Sequence, residues 1–297
     1  MSAVGSGGGE GAVTTFGARL AAAMEAHGPL CVGIDPHPAL LAAWGLPDDA
    51  SGLREFTRTV LDAVGGHVAA LKPQSALFER HGSAGIAVLE ELIAAARGTA
   101  TLVILDAKRG DIGSTMAAYA DAYLRDGSPL AVDALTVSPY LGFGSLAPAV
   151  DAAAASGRGL FVLALTSNPE GAAVQHARDA DGVAVAARIA MHASELNARE
   201  LAVSGAAMGS VGLVVGATTG GAAHRLGIDL GAVRGPLLAP GVGAQGAGPT
   251  ELGAVFGGAR GTVLASSSRG VLAAGPNRAS LLAAARSAAD EARRALS

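Results

Sequence analysis

The sequence predicts an α/β protein that forms a single-domain (β/α)8 TIM barrel, and three observations support this fold class. Eight short apolar runs are separated by longer segments whose apolar residues recur at helical spacing. The alternation continues along the chain without a linker-like change in composition. Half of the 297 residues are apolar and only 3% are aromatic, which favours layers packed through small and branched side chains. An open doubly wound sheet is the alternative, but eight strands is the number that closes a barrel.

Each predicted strand is a short apolar run of the kind that lies buried on both faces of a parallel sheet. The strands are predicted over residues 30–34, 67–71, 102–105, 131–136, 160–165, 211–215, 236–239 and 261–265. Helices are predicted over 53–65, 83–97, 114–125, 144–155, 181–203, 219–229 and 277–296. The apolar stretch 201–217 is too short and too rich in Gly and Ala for a membrane span, so it predicts a helix end, a turn and a buried strand.

Composition sets limits on organisation and partners. Residues 1–12 carry too little apolar surface to offset the entropy of ordering them, so we expect a flexible tail there and a barrel domain over 13–297. The net charge of −4, without a stripe of Lys and Arg, argues against a nucleic-acid partner. The single cysteine, Cys31, lies in an apolar run and predicts a buried thiol. No secretory signal is visible, so we expect a cytoplasmic protein without a membrane partner.

Ionisable residues directly follow the first three predicted strands, at the end of a barrel that carries the chemistry. Asp35 ends strand one, Lys72 ends strand two, and strand three runs into Asp106, Lys108 and Asp111. Alternation along strand three puts Asp106 and Lys108 on the same inward face, with Asp111 at the entry to the next helix. Flanking carboxylates favour the charged form of a lysine, so Lys108 is suited to donate a proton rather than to form a Schiff base.

This Asp-Lys-Asp array indicates a decarboxylation. An anionic group brought next to Asp106 is repelled unless the reaction removes its charge from that position, and loss of CO2 does this. The ammonium of Lys108 can then stabilise the remaining electron pair and quench it with its proton.

Two loops late in the chain predict a phosphate site. Residues 241–246 contain GxGxxG, but the match lies far from a first βαβ unit and lacks an acidic residue downstream, which argues against a dinucleotide site. In a barrel, the loops after strands seven and eight usually hold a phosphate. Arg269, after strand eight, offers a guanidinium that matches phosphate oxygens, and Gln245 can reach the same group from the other loop.

The motif LDAKRGDIGST at 105–115 resembles the DxKxxD signature of the orotidine 5'-monophosphate decarboxylases. Further motifs are similar to the same family, especially its type 2, mycobacterial-like subgroup. They are GIDP at 33–36, LKPQ at 71–74, TVSPYLG at 136–142, TSNP at 166–169 and PGVGAQG at 240–246. The motifs span nearly the whole folded chain, and apparent insertions near 176–182 and 222–235 touch none of the predicted charges.

The resemblance implies a cofactor-free, metal-independent carboxy-lyase that converts orotidine 5'-monophosphate (OMP) to UMP in pyrimidine biosynthesis. It implies that Asp106, Lys108 and Asp111 form a charged catalytic network with Lys72, and that Lys108 protonates C6. It also implies a homodimer with shared active sites, because in the family Asp111 and Thr115 reach into the partner subunit's site. The implied substrate contacts are ribose hydroxyls to Asp35 and Lys72, the pyrimidine to Ser138, and the 5'-phosphate to Gln245, Ser268 and Arg269.

Two other functions fit parts of this pattern. The 3-keto-gulonate 6-phosphate decarboxylases and hexulose-phosphate synthases share the strand-three signature but use Mg2+ and carry a glutamate at the end of strand two. An ammonium at Lys72 would oppose Mg2+ there. A nucleotide-binding barrel without activity would bind UMP through the same loops, although the sequence lacks none of the groups needed for catalysis. Metal-independent turnover of OMP distinguishes these functions.

Overall fold

The computed structural model describes residues 14–242 and 247–297, and within them eight parallel strands close into a barrel in sequence order. The predicted tail over 1–12 and the predicted phosphate ligand Gln245 lie outside the described residues. The strands are β1 (Leu30–Ile34), β2 (Ala70–Pro73), β3 (Leu102–Arg109), β4 (Ala134–Val137), β5 (Gly159–Leu165), β6 (Val211–Val215), β7 (Leu237–Pro240) and β8 (Val263–Ser267). The predicted fold class is confirmed.

Helices surround the barrel and follow its strands along the chain. They are α1 (Phe16–His27), α2 (Pro38–Ala43), α3 (Ala50–Val64), α4 (Ser75–Glu79), α5 (Gly82–Ala96), α6 (Gly113–Leu124), α7 (Ala147–Ala155), α8 (Ala172–Gln175), α9 (Val185–Ser204), α10 (Ala222–Arg225), α11 (Pro249–Phe256), α12 (Arg269–Leu272) and α13 (Arg278–Leu296). Short 3-10 segments cover Phe143–Leu146, Pro169–Gly171 and Gly257–Thr262. No helix in the described ranges is long and apolar enough to cross a membrane.

Several predicted boundaries were wrong for local reasons. The helix predicted over 219–229 is reduced to the four residues of α10, which has Gly221 as its N-cap and is followed by Gly227 at a φ of +71°. Strand four begins at Ala134 rather than residue 131, because the amides of Ala131 and Val132 bond to the preceding segment instead of a neighbouring strand. The stretch 201–217 forms the end of α9, a turn and β6, as predicted.

Helix α1, which the sequence analysis did not predict, closes the amino end of the barrel. Thr15 caps it by accepting a hydrogen bond from the amide of Ala18 at 3.3 Å. Phe16 is fully buried and packs edge-to-face on Phe161 with ring centroids 6.0 Å apart. Arg19 pairs with the carboxylate of Asp133 and so anchors the helix to the start of β4. The polar candidate residues therefore lie at the opposite, carboxyl end.

The predicted burial of Cys31 is confirmed. Its side chain lies in the inner apolar cluster of the barrel, together with residues of α1. Burial raises the pKa of the Cys31 thiol to about 12. The thiol therefore behaves as a small apolar group rather than as a nucleophile.

Candidate active site

The third strand contains a bulge at the candidate catalytic residues. Between Leu105 and Arg109, β3 advances four residues while β4 advances two, so residues 106–108 lie opposite the single residue Thr136. Lys108 has a φ of +49°, in the left-handed region that side-chain-bearing residues rarely adopt. Bulges beside active sites re-aim side chains, and this one replaces the regular alternation that the sequence predicts.

The bulge brings three charged groups together at the mouth of the barrel. The carboxylate of Asp106 accepts hydrogen bonds from the Nζ of Lys72 at 2.9 Å and from the Nζ of Lys108 at 2.5 Å. The hydroxyl of Thr136 donates to the same carboxylate at 3.0 Å and accepts from the backbone amide of Lys108 at 2.9 Å. Asp106 is thus the centre of the network, with one lysine on each oxygen.

Burial and neighbouring charges shift the pKa values of Lys72 and Asp106 in opposite directions. Burial by itself would lower the pKa of Lys72, which is 6% exposed, but the negative charges of Asp106 and Asp35 outweigh it and raise the pKa above its usual value. Burial would likewise raise the pKa of Asp106, but the two lysines outweigh it and hold that pKa below its usual value. The side chain of Lys108 is 45% exposed and faces the opening. The resting site therefore holds two ammonium groups on one carboxylate.

Lys72 and Lys108 are also the only two lysines among the 21 lysines and arginines of the chain. An arginine keeps its proton under all ordinary conditions, whereas a lysine is a compact ammonium whose pKa responds to its surroundings and which can release a proton. This residue choice was a signal available in the sequence, because cations elsewhere in the chain are arginines.

Asp35 and Ser268 meet at the ends of β1 and β8. A Cβ atom on Gly33 would lie 1.8 Å from the Oγ of Ser268 and 2.9 Å from an oxygen of Asp35, so this close approach requires glycine. The other oxygen of Asp35 is buried and has no hydrogen-bond partner within the described residues. Buried polar atoms are nearly always bonded, so this acceptor suits a ligand hydroxyl.

The remaining predicted residues lie around this centre without joining it. Asp111 accepts from the amide of Ile112 at 2.8 Å, and Thr115 is exposed on the first turn of α6. Ser138 is half-buried at the end of β4, and Arg269 is the exposed first residue of α12.

Thr136, which bonds to both Asp106 and Lys108, was missed by the sequence analysis. Its signal was a hydroxyl in the otherwise apolar run of β4. Among residues 14–242 and 247–297, no group of three or more His, Cys, Asp or Glu side chains is arranged to hold a metal ion.

Comparison with known proteins identifies the family to which this chain belongs. The model of the orotidine 5'-phosphate decarboxylase / HUMPS family matches residues 28–284. The chain belongs to this family. Orotidine 5'-phosphate decarboxylase from Salinispora arenicola is 61% identical over 271 residues, which is 91% of this chain and 94% of that protein. The enzyme of the same name from Streptomyces coelicolor is 58% identical over 270 residues, again 91% of this chain and 94% of that protein.

Solved structures of the orotidine 5'-phosphate decarboxylase family share the architecture. A crystal structure from Streptomyces avermitilis, described as an orotidine 5'-phosphate decarboxylase, is 57% identical with a TM-score of 0.89, covering 95% of this chain and 96% of that chain. The Leishmania donovani OMP decarboxylase is 31% identical with a TM-score of 0.72, covering 95% of this chain and 99% of that chain. At these identities the activity is that of orotidine 5'-phosphate decarboxylase, a carboxy-lyase of pyrimidine biosynthesis.

Proposed function

We propose that the site converts OMP to UMP and CO2 without a metal or cofactor, with Lys108 as the proton donor to C6. The observation that carries this proposal is the contact of 2.5 Å between the Lys108 ammonium and a buried carboxylate, Asp106, whose other oxygen is bonded to Lys72. A substrate carboxylate near Lys108 also approaches Asp106, and their like charges repel. The C6–carboxyl bond breaks, the electron pair stays on C6, and a proton from Lys108 forms the C6–H bond and leaves a neutral amine.

The ends of β1 and β2 supply the proposed ribose site. The buried oxygen of Asp35 that has no partner within the described residues is available to accept from a ribose hydroxyl. Lys72 lies on the neighbouring strand, where Gly33 pairs with it in register. We place both side chains on the ribose hydroxyls, so that Lys72 links the bound sugar to Asp106.

The pyrimidine and phosphate occupy opposite sides of the proposed ribose site. Ser138 follows β4, beside the bulge, and is placed on the pyrimidine. Ser268 and Arg269 follow β8 and are placed on the 5'-phosphate together with Gln245, which lies outside the described residues. Binding energy from the phosphate, far from C6, then helps to hold the pyrimidine against the charged network.

Replacing Arg269 with Ala should weaken binding more than chemistry. Loss of a charge-assisted phosphate contact is expected to raise the Kd for UMP by on the order of 10- to 100-fold. Titration of UMP together with steady-state kinetics checks this. Arg260→Ala is a matched control, because Arg260 is another exposed arginine that bonds only to backbone carbonyls within the described residues. Unchanged UMP affinity in Arg269→Ala would place the phosphate elsewhere.

We also infer a homodimer with shared active sites. In the described part of the chain, Asp111 and Thr115 do not bond to the charged network, although the family resemblance implies a role for both. The large apolar side chains of Ile112, Tyr140 and Leu141 are exposed on the loops that follow β3 and β4. These exposed apolar side chains lie beside a site that Asp111 and Thr115 do not reach within one chain. Both observations support a second copy of this chain as the partner.

Hybrid dimers provide the test of shared sites. In a homodimer of Lys108→Ala or of Asp111→Ala, both active sites are defective. After subunits exchange in an equal mixture, about half of the dimers are hybrids, and one of the two sites in each hybrid combines an intact Lys108 with an intact Asp111 from the partner. The mixture should therefore recover up to about a quarter of the wild-type activity. Mixing without exchange, for example after crosslinking each homodimer, should recover none. Recovery that never exceeds the sum of the separate variants would show that the sites are not shared.

Three finer assignments remain predictions. The motifs at 105–115, 166–169 and 240–246 support membership of the type 2, mycobacterial-like subgroup. A barrel domain over 13–297, preceded by a tail over 1–12 that lies outside the described residues, is the second. A cytoplasmic location is the third of these predictions.

The reaction is tested by adding OMP to EDTA-treated protein and following the loss of the orotate absorbance. We expect full turnover after metal removal, with UMP as the product. Turnover that requires added Mg2+ would favour the metal-dependent decarboxylases that share the strand-three signature. Binding of UMP without any loss of OMP would indicate a nucleotide-binding barrel that lacks activity.

A further inference from the structure

We infer that Arg109 is a positioning residue for the reaction, because its guanidinium holds the bulge that aims Lys108. The inference deepens the proposed function and rests on Lys108 as the proton donor. Arg109 directly follows Lys108 in β3, yet its contacts lie among side chains of α4 and α6 rather than at Asp106. It therefore acts through Lys108 and not on the substrate.

The guanidinium of Arg109 is held by four neighbours. Its Nη1 donates to the carbonyl of Ala107 at 3.2 Å. Its Nη2 pairs with the carboxylate of Glu79 on α4 and donates to the hydroxyl of Tyr123 on α6 at 3.3 Å. The guanidinium carbon lies 5.6 Å from the ring centroid of Tyr119 and 5.8 Å from that of Tyr123, within the range of cation–π attraction. These contacts fix the Arg109 side chain in a single orientation.

The bond to Ala107 spans the strained residue. Ala107 and Arg109 flank Lys108, so a fixed guanidinium fixes the carbonyl just before the residue whose φ is +49°. On the other side, the carbonyl of Arg109 accepts from the amide of Ser138 at 2.8 Å. Thr136 holds the amide of Lys108 itself. A backbone conformation of this kind persists only where the surroundings determine it fully, and these three bonds provide that.

Glu79, which anchors Arg109, is connected through α4 to β2, the strand that carries Lys72. Glu79 accepts a hydrogen bond from the hydroxyl of the buried Ser75 at 2.5 Å, which fixes its carboxylate from within α4. Ser75 follows Gln74, and Gln74 forms a strand-like bridge to Asp106 just beyond the end of β2. Arg109 thus ties the bulge to the segment that directly follows Lys72, so the two ammonium groups keep a fixed separation.

The test compares Arg109→Met with Arg158→Met. Arg158 is a matched control because it also bonds to a backbone carbonyl, that of Val132 at 2.8 Å, and to a carboxylate, that of Asp126 at 2.7 Å, but at the amino end of the barrel. We expect kcat to fall by about 10- to 100-fold in Arg109→Met, as for a misplaced reacting group, and to stay near wild type in Arg158→Met. The Kd for UMP should change by no more than about two-fold in either variant. Arg109→Lys keeps the charge but cannot form the fork, and should be intermediate.

A spectroscopic readout separates positioning from a general loss of structure. Because the chain has only two lysines, protein labelled with 15N at lysine Nζ gives only two side-chain signals. Arg109→Met should shift the Lys108 signal more than that of Lys72, which shares only the Asp106 carboxylate with it, whereas Arg158→Met should shift neither. If Arg109→Met does not fold, Glu79→Gln removes the negative charge that anchors the guanidinium and should also lower kcat, by a smaller factor.

Equal kcat in the two methionine variants, or a parallel loss of UMP binding and kcat in Arg109→Met, would overturn the inference. The proposed function fails separately, through normal turnover in Lys108→Ala. An inactive Lys108→Ala beside a fully active Arg109→Met refutes only the positioning role.

Discussion

Replacing Lys108 with Ala is expected to lower kcat by at least about 10⁴-fold, since it removes both the proton donor and the cation that stabilises the electron pair on C6. UMP binding should remain measurable, because the proposed phosphate and ribose contacts are at the ends of other strands. Single-turnover loss of the OMP absorbance, with UMP titration alongside, measures both quantities.

Lys108→Arg separates the two contributions of this side chain. An arginine keeps a positive charge near Asp106 but does not release a proton. If Lys108→Arg is as inactive as Lys108→Ala, most of the loss in kcat is due to proton donation. If Lys108→Arg keeps partial activity, the difference in kcat between the two variants is due to the positive charge. Near-normal turnover in Lys108→Ala would remove Lys108 from the mechanism altogether.

The sequence was sufficient to predict the barrel and the position of its charges, because both follow from periodic patterns. Apolar runs alternate with segments of helical spacing, and an ionisable residue directly follows each of the first three apolar runs. Parallel strands around a barrel deliver such residues to one end. Asp106 and Lys72 could therefore be expected to meet although they are 34 positions apart.

The bulge could not be predicted from the same pattern. Residues 105–109 alternate as well as any regular strand end, and the extra residues are recognised only when β4 is laid beside β3. Thr136 was missed for the same reason, since its role depends on lying opposite the bulge. Helix α1 was missed because its residues, with Phe16 the first, carry a weak helical pattern and are buried only once the barrel exists to receive them. These features depend on long-range packing rather than on local sequence.

The second large effect is expected for Asp106→Asn, which keeps the shape of the side chain but removes the charge between the two lysines. Removing one partner of a buried ion pair costs about 3–5 kcal/mol, because the other charge stays buried without compensation. In this variant burial should prevail and the pKa of Lys72 should fall below its wild-type value, which the two-signal 15N lysine spectrum measures directly. The rate should fall by on the order of 10² to 10³, since Lys108 also loses the group that orients it.

The pH dependence of unfolding tests whether the loss of stability in Asp106→Asn is electrostatic. Asp106 has a pKa below its usual 3.8, so its contribution to the stability of the wild type is present above that pH and lost as pH falls through the folded-state pKa. Lys72 has a pKa above its usual 10.5, so its contribution is complete below that pH and lost as pH rises through the folded-state value. The difference in free energy of unfolding between wild type and Asp106→Asn should therefore be flat from about pH 3.8 up to the lowered pKa of Lys72 in the variant, and should narrow below and above that range. Asp48→Asn, which removes the charge of an exposed partner of Arg80, should show little difference at any pH. A difference that persists unchanged into acid would mean that Asp106 stabilises the barrel by packing and hydrogen bonding, and the proposed repulsion of a substrate carboxylate would then lose its physical basis.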